Sequence, residues 1–317
     1  MTTPSPLRVG LLGTGPWASH VHAPSLSAHR DVAFAGVWGR RPDAAQALAD
    51  RHAVKVYASP AELIADVDAV AFALPPAVQA PLAVEAARAG RHLLLDKPVA
   101  TDPAEARAVA EAARRHEVAS VVFLTLRFGA QESEWIAEQA RTGGWFTAHA
   151  EWLGSVFAAG SDSPYADSPW RREKGALWDV GPHVLSVLLP VLGEVSTLAA
   201  RRGPGDTVLL TLHHVGGAAG TVALSLTAPP AAAGVEVTLR GTGGVTSLPP
   251  RAGGAERPYR RAIDALLESV RTGTAHPCDV HYGLRLTELL AAAEASLAQN
   301  GAAVSTTGSG ASAAGAR

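Results

Sequence analysis

Short apolar runs and longer runs with helical start signals alternate through the first 126 residues, and this alternation constrains the fold more than any other feature. The apolar runs lie at 7–12, 32–38, 54–57, 69–74, 92–95 and 120–126, with Arg8 the one charged residue in the first. Runs that are apolar on both faces suit a parallel sheet covered by helices. Between them, Ser59-Pro60-Ala61-Glu62 combines a capping serine, proline at the first helical position and glutamate three residues on. Asp102-Pro103-Ala104-Glu105 repeats the theme with an acidic cap. Strand and helix in strict turn imply βαβ units, right-handed crossovers and a doubly wound parallel sheet.

The rhythm changes after Arg127. A helix is expected over 130–141, a strand over 146–153, a Gly/Ser/Asp/Pro-rich loop over 154–169 and a single helix over 176–192. Strands at 195–201, 207–214, 220–227 and 235–240 then follow without intervening helices, which implies an open, mostly antiparallel sheet. Helices over 259–271 and 282–298 close the chain. The expected division is a dinucleotide-binding domain over 1–126, an α+β substrate and oligomerisation domain over 127–300, and a disordered Gly/Ala/Ser/Thr tail over 301–317.

With 317 residues, 47% of them hydrophobic, there is enough apolar surface for two cores. A net charge of −2 supplies no basic field for nucleic acid. No apolar run is expected to span a bilayer, the start of the chain has no signal-peptide pattern, and Cys278 is the one cysteine. The cytoplasm is the expected compartment.

Gly13-Thr14-Gly15-Pro16-Trp17-Ala18 reads G-x-G-x-x-A directly after the first strand. In a dinucleotide-binding turn the first glycine permits the tight bend, the second lets backbone approach a pyrophosphate, and a small third residue packs helix on strand. The helix start then favours the phosphates through its dipole. At the end of the second strand an acidic residue would hold a ribose 2′-hydroxyl. Arg40 and Arg41 stand there instead and suit a 2′-phosphate, so NADP is favoured, with NAD possible.

Lys97 follows the fifth strand, in Asp96-Lys97-Pro98, where residues line the ligand crevice of a parallel sheet. Its ammonium could polarise a substrate oxygen. Asp179 and His183 lie four apart, which on one helix stacks them on one face. An imidazole there could take a proton from an alcohol and return it to a ketone. The same pair could be half of a metal site, but no further ligands complete it, and no metal is expected.

These pieces together resemble the glucose–fructose oxidoreductase/inositol dehydrogenase family, Gfo/Idh/MocA, over about residues 7–300. The marks are the glycine turn, Leu74-Pro75-Pro76, Ala89-Gly90-Arg91-His92-Leu93-Leu94-Leu95-Asp96-Lys97-Pro98, Arg127-Phe128, Trp170-Arg171 and Gly175-Ala176-Leu177-Trp178-Asp179-Val180-Gly181-Pro182-His183. The resemblance implies a Rossmann domain followed by an α+β domain with an open sheet. It also implies reversible hydride transfer between nicotinamide and a secondary alcohol or ketone of a sugar, polyol or related small molecule. In it Lys97, Asp179 and His183 match the catalytic lysine, aspartate and histidine. Gly13, Gly15, Pro16, Trp17, Leu74, Pro75, Asp96 and Trp170 join Arg40, Arg41 and Lys97 around the cofactor. A homo-oligomer paired through the open sheet is expected. Departures are Asp96 for glutamate, Gln79 for histidine, Thr125 for asparagine and Ser186 for aspartate. Two other readings stay open: a dinucleotide-sensing regulator without turnover, and a glycosidase or lyase that recycles a bound NAD.

Overall fold

Six apolar runs become the six parallel strands of one sheet: β1 (Leu7–Leu12), β2 (Val32–Trp38), β3 (Lys55–Val56), β4 (Ala69–Phe72), β5 (His92–Asp96) and β6 (Ser120–Phe123). Their order, β3-β2-β1-β4-β5-β6, is that of a doubly wound dinucleotide-binding fold, as the alternation implies. In the computed structural model, residues 5–251 and 253–306 are described.

Helix α1 (Ala23–Ser27) continues a helical path that starts at Pro16 and is wide-turned over Ala18–His22. Helices α2 (Pro42–His52), α3 (Pro60–Asp66), α4 (Pro76–Arg88) and α5 (Pro103–Arg115) follow β2 to β5. Each of these four opens with proline in its first turn, where a missing N–H costs nothing. Ser59 caps α3 by accepting from the Glu62 N–H, and Asp102 caps α5 by accepting from the Ala104 N–H. The Glu62 carboxylate reaches back to the Ala58 N–H, one residue earlier than a standard capping box. The expected sixth strand stops short of Leu126, because Thr125–Phe128 winds into a one-turn helix, α6.

The chain forms two units, and their boundary corrects the expected division at 126/127. The first unit comprises residues 1–133 and, after the chain returns, 251–287. Its returning part carries α10 (Glu256–Thr272) and the start of α11 (Val280–Ala298). It seals the β6 side of the sheet: the Val122 N–H donates to the Cys278 carbonyl at 2.7 Å and the Val280 N–H to the Ser120 hydroxyl at 3.0 Å. These bonds link positions far apart in sequence, so no local pattern announces them.

The second unit comprises residues 134–250 and 288–317, with α7 (Ala130–Thr142) leading into it. Its sheet has seven strands: β7 (Trp145–Leu153), β8 (Val195–Arg202), β9 (Val208–His214), β10 (Ala219–Ser225), β11 (Gly234–Gly241), β12 (Gly244–Ser247) and β13 (Val304–Ser305). The order is β12-β11-β7-β10-β9-β8-β13, antiparallel throughout except for the parallel pair β7–β10. Strand β13 falls in the expected tail: Val304 and Ser305 pair with Leu198 and Thr197 on β8. The rest of that tail, 307–317, lies outside the described residues. Strand β9 alternates buried and exposed residue by residue, with Leu209, Thr211 and His213 outward. Thr221 of β10 and His149 of β7 are also exposed, so this face is more polar than the apolar alternation expected of an oligomer surface.

The single helix expected over 176–192 is two, α8 (Pro169–Asp179) and α9 (Gly181–Leu192), meeting at Val180. Pro182 has no N–H to give the Trp178 carbonyl, so the ladder breaks and restarts. By length and composition the 24-residue stretch Pro169–Leu192 is apolar enough to cross a membrane, contrary to the expectation that no run is. The break at Val180 divides it, and 89% of its most apolar window is buried within the protein.

Candidate active site

The glycine turn sits at the carboxyl end of β1, beside the end of β2: the Gly13 N–H donates to the Trp38 carbonyl at 2.8 Å. Two glycines there are required by the protein's own packing. Gly13 has φ of +126°, and a Cβ on it would lie 2.3 Å from the Ala73 carbonyl oxygen; a Cβ on Gly39 would lie 2.5 Å from the Thr14 hydroxyl. Gly15 differs, since a Cβ on it would meet nothing within 4 Å. The backbone is therefore bare at Gly15 with open space above it, as a pyrophosphate approaching the main chain requires. Pro16 and Trp17 begin the helix that follows, and the half-buried Trp17 ring stacks on Phe123 with centroids 6.3 Å apart. These residues fit a dinucleotide.

Arg40 and Arg41 are exposed on the loop after β2, and among the described residues neither side chain enters an ion pair or hydrogen bond. Arg41 starts α2. Leu74 and Pro75 lie half-exposed past the end of β4, with Pro75 at the start of α4.

Asp96 ends β5, and its carboxylate accepts from the Lys97 N–H at 2.8 Å. The shorter side chain that stands for glutamate thus folds onto its own loop. The following Lys97–Pro98 peptide is cis. Gln79, noted in the sequence only as a departure, is wholly buried beneath this loop. Its Nε2 donates to the carbonyls of Asp96 (2.9 Å), Pro98 (3.2 Å) and Val99 (3.1 Å), and its Oε1 accepts from the Asp96 N–H at 2.9 Å. Only its place on the first turn of α4, after the Pro-Pro pair, hints at this in the sequence.

Asp179, His183 and Trp170 belong to the second unit. Asp179 ends α8 and His183 lies in the first turn of α9, so a helix break at Val180 stands between the two residues expected on one uninterrupted helix. Both are buried. The Asp179 carboxylate accepts from Arg171 Nε at 3.1 Å, with the two side chains 9% and 19% exposed. The Arg171 guanidinium lies over the Trp170 and Tyr165 rings at 4.7 and 4.8 Å, and its Nη1 donates to Ser168. The His183 ring stacks on Trp152 of β7, with centroids 4.8 Å apart and planes at 21°. Neither Arg171 nor Trp152 was singled out in the sequence, although Arg171 stands inside the Trp-Arg motif. Just upstream, Asp206 accepts from the Ala176 N–H and from Ser225, Leu226 and Thr227, fixing the start of this segment, where Gly175 takes φ of +64°. Ser186 is wholly buried and its hydroxyl donates to the His183 carbonyl at 2.7 Å. Thr125 is buried at the start of α6.

Beneath Trp17 lies a second aromatic group. The His22 ring is 4.1 Å from the Tyr259 ring, and complete burial pushes the imidazole pKa down to about 3, so it is neutral.

Comparison with known proteins agrees with this architecture. Residues 7–124 match the family model described as oxidoreductase family, NAD-binding Rossmann fold, and residues 137–247 match the GFO/IDH/MocA C-terminal domain. An uncharacterized oxidoreductase of Schizosaccharomyces pombe is 29% identical over 62% of this chain and 54% of its own length. The chain spans between about half and two-thirds of the length of the first curated relatives it matches. A dTDP-3,4-didehydro-2,6-dideoxy-alpha-D-glucose 3-reductase of Saccharopolyspora spinosa is 27% identical over 85% of this chain and 89% of that one. Among solved structures, a levoglucosan dehydrogenase in complex with NADH and levoglucosan shares the fold with a TM-score of 0.81. It is 19% identical over 96% of this chain and all of that one. With both halves matched by models of one family, the chain belongs to the GFO/IDH/MocA oxidoreductases, whose N-terminal domain is an NAD-binding Rossmann fold.

Proposed function

We propose that the protein is an NAD(P)-dependent dehydrogenase or reductase that interconverts a secondary alcohol and a ketone on a sugar, polyol or related small molecule, with NADP favoured. The observation that carries the reading is Lys97, fixed on a braced loop at the same carboxyl edge of the sheet as the glycine turn. The named substrates of relatives support the substrate class: a deoxy-sugar nucleotide for one and levoglucosan for another.

When bound, the nicotinamide accepts or gives a hydride at C4. The chain supplies everything else. Gly13, Gly15, Pro16 and Trp17 form the turn for the pyrophosphate, Leu74 and Pro75 border the adenine or ribose side, and Asp96 shapes the loop that presents Lys97. Arg40 and Arg41 suit a 2′-phosphate because both guanidinium groups are exposed and uncommitted to carboxylates. Lys97 Nζ donates to the substrate oxygen and stabilises the charge that builds there. His183 takes the hydroxyl proton in oxidation and returns it in reduction. The Asp179 carboxylate is held by Arg171, whose guanidinium also lies over the Trp170 ring, and by resemblance Trp170 is the tryptophan that reaches the cofactor. The exposed face of the second sheet is the surface for self-association.

The test is a panel of cyclic polyols and sugars followed at 340 nm with NADP and NAD. Replacing Lys97 with Met should cut turnover by about 10²–10⁴-fold while NADPH binding persists. Replacing Arg40 and Arg41 with Ser should weaken NADPH relative to NADH by about tenfold or more, the equivalent of one charge-assisted contact. Native turnover in Lys97→Met contradicts the reading.

A further inference from the structure

We infer that Gln79 is a positioning residue: it fixes the orientation of the Lys97 ammonium through the backbone on both sides of it, and does so with a group that does not titrate. The inference rests on the reading of Lys97 as a residue facing the cofactor. One amide, wholly buried on the first turn of α4, makes four bonds to the loop after β5. Its two N–H groups are shared among the carbonyls of Asp96, Pro98 and Val99, and its oxygen takes the Asp96 N–H. The Asp96 carboxylate takes the Lys97 N–H. Every one of these bonds lands on main chain within two residues of Lys97, so the Lys97 Cα is held from both sides while its side chain stays half-exposed.

Among the natural side chains, few can meet this set. A leucine of similar size leaves three carbonyls and an N–H without their partner in a buried place, each costing more than a mean hydrogen bond returns. A glutamate sets carboxylate oxygens against three carbonyl oxygens. A neutral histidine offers one donor and one acceptor, and loses the acceptor on protonation. Glutamine, unlike these three, serves donor and acceptor roles together at every ordinary pH. A shift of about 1 Å in a reacting group costs about 10²-fold in rate, which is why so small a brace matters.

The chain offers a readout that needs no substrate. It has three lysines, Lys55, Lys97 and Lys174. In protein labelled with 13C at lysine Cε, each gives one resonance, and Lys97→Met assigns the one of interest. Replacing Gln79 with Leu or with His should move the Lys97 resonance while those of Lys55 and Lys174 stay in place. NADPH should move the Lys97 resonance in the native protein and move it less in both variants. A Lys97 resonance that coincides with the native one in both variants overturns the inference. So does a parallel shift of all three lysines with a common fall in melting temperature, which would make Gln79 a fold-holding residue only. NADPH leaving the native Lys97 resonance unmoved would instead overturn the underlying reading of Lys97, whatever Gln79 does.

Discussion

The two units build their candidate residues from different materials. In the first unit the determinants are main-chain geometry: a glycine with φ of +126°, bare backbone at Gly15, and a loop held by a neutral amide. In the second they are charges and ring faces: Arg171 on Asp179, Trp170 and Tyr165 flanking the guanidinium, Trp152 under His183. Backbone geometry and amide hydrogen bonds are indifferent to pH and salt. Ion pairs and imidazoles are not. On the proposed function the first unit adds the Lys97, Arg40 and Arg41 cations to this shaped backbone and the second a buried carboxylate and imidazole, so perturbations of the two should look unlike one another.

The largest effect is expected at Gly13. A valine there meets the Ala73 carbonyl and a backbone angle that a β-branched residue resists. Gly13→Val should cost at least about 2–3 kcal/mol of stability, read from urea unfolding, and abolish NADPH binding. Gly15→Ala should spare stability and still weaken NADPH, because the added methyl meets cofactor space and no protein atom. Equal loss of stability in both variants would break the distinction between a glycine the fold needs and one the ligand needs.

Arg171 comes next. Arg171→Leu leaves the buried Asp179 carboxylate without this cation, a loss of about 3–5 kcal/mol where a pair is fully buried and less here at 19% and 9% exposure. Turnover should fall by about 10–100-fold, because the carboxylate loses the donor that fixes it. Arg171→Lys should recover the charge but not the stacking on Trp170 and Tyr165. Native turnover in Arg171→Leu would remove the Arg171–Asp179 pair from the proposed chemistry.

The smallest effect is an exception that sharpens the comparison, a titrating group inside the first unit. His22 has a folded pKa of about 3, below the ordinary 6.5. As pH falls below 6.5 the unfolded chain takes up a proton that the native imidazole refuses. Stability from this group is therefore full above pH 6.5 and declines toward pH 3, at up to about 1.4 kcal/mol per pH unit. Urea midpoints at about pH 7 and about pH 5 should differ in the native protein and differ less in His22→Phe. An unchanged slope in that variant would place the acid sensitivity elsewhere.

What could be read from the sequence follows the same division. The parallel sheet was legible because most of its strands are apolar on both faces and the helices after β2 to β5 open on proline, two of them with a capping side chain; β1 and β2 fall where the apolar runs do. The glycine turn was legible for the same local reason. The break at Val180 was not, since a proline two residues on is tolerated in a first helical turn and the apolar run continues across it. The return of 251–287 and the strand at Val304–Ser305 depend on partners more than a hundred residues away. Gln79 was visible only as an oddity, because its four partners are main-chain atoms that any sequence provides.

The central claim is that Lys97 and His183 serve one bound nicotinamide, and a crystal structure of the protein with NADPH and a substrate from the polyol panel tests it most directly. The expected result is Lys97 Nζ and a His183 ring nitrogen both within about 3 Å of the same substrate oxygen, the reach of a catalytic hydrogen bond, beside nicotinamide C4. A dinucleotide bound in the glycine turn with Lys97 and His183 on separate surfaces would contradict it.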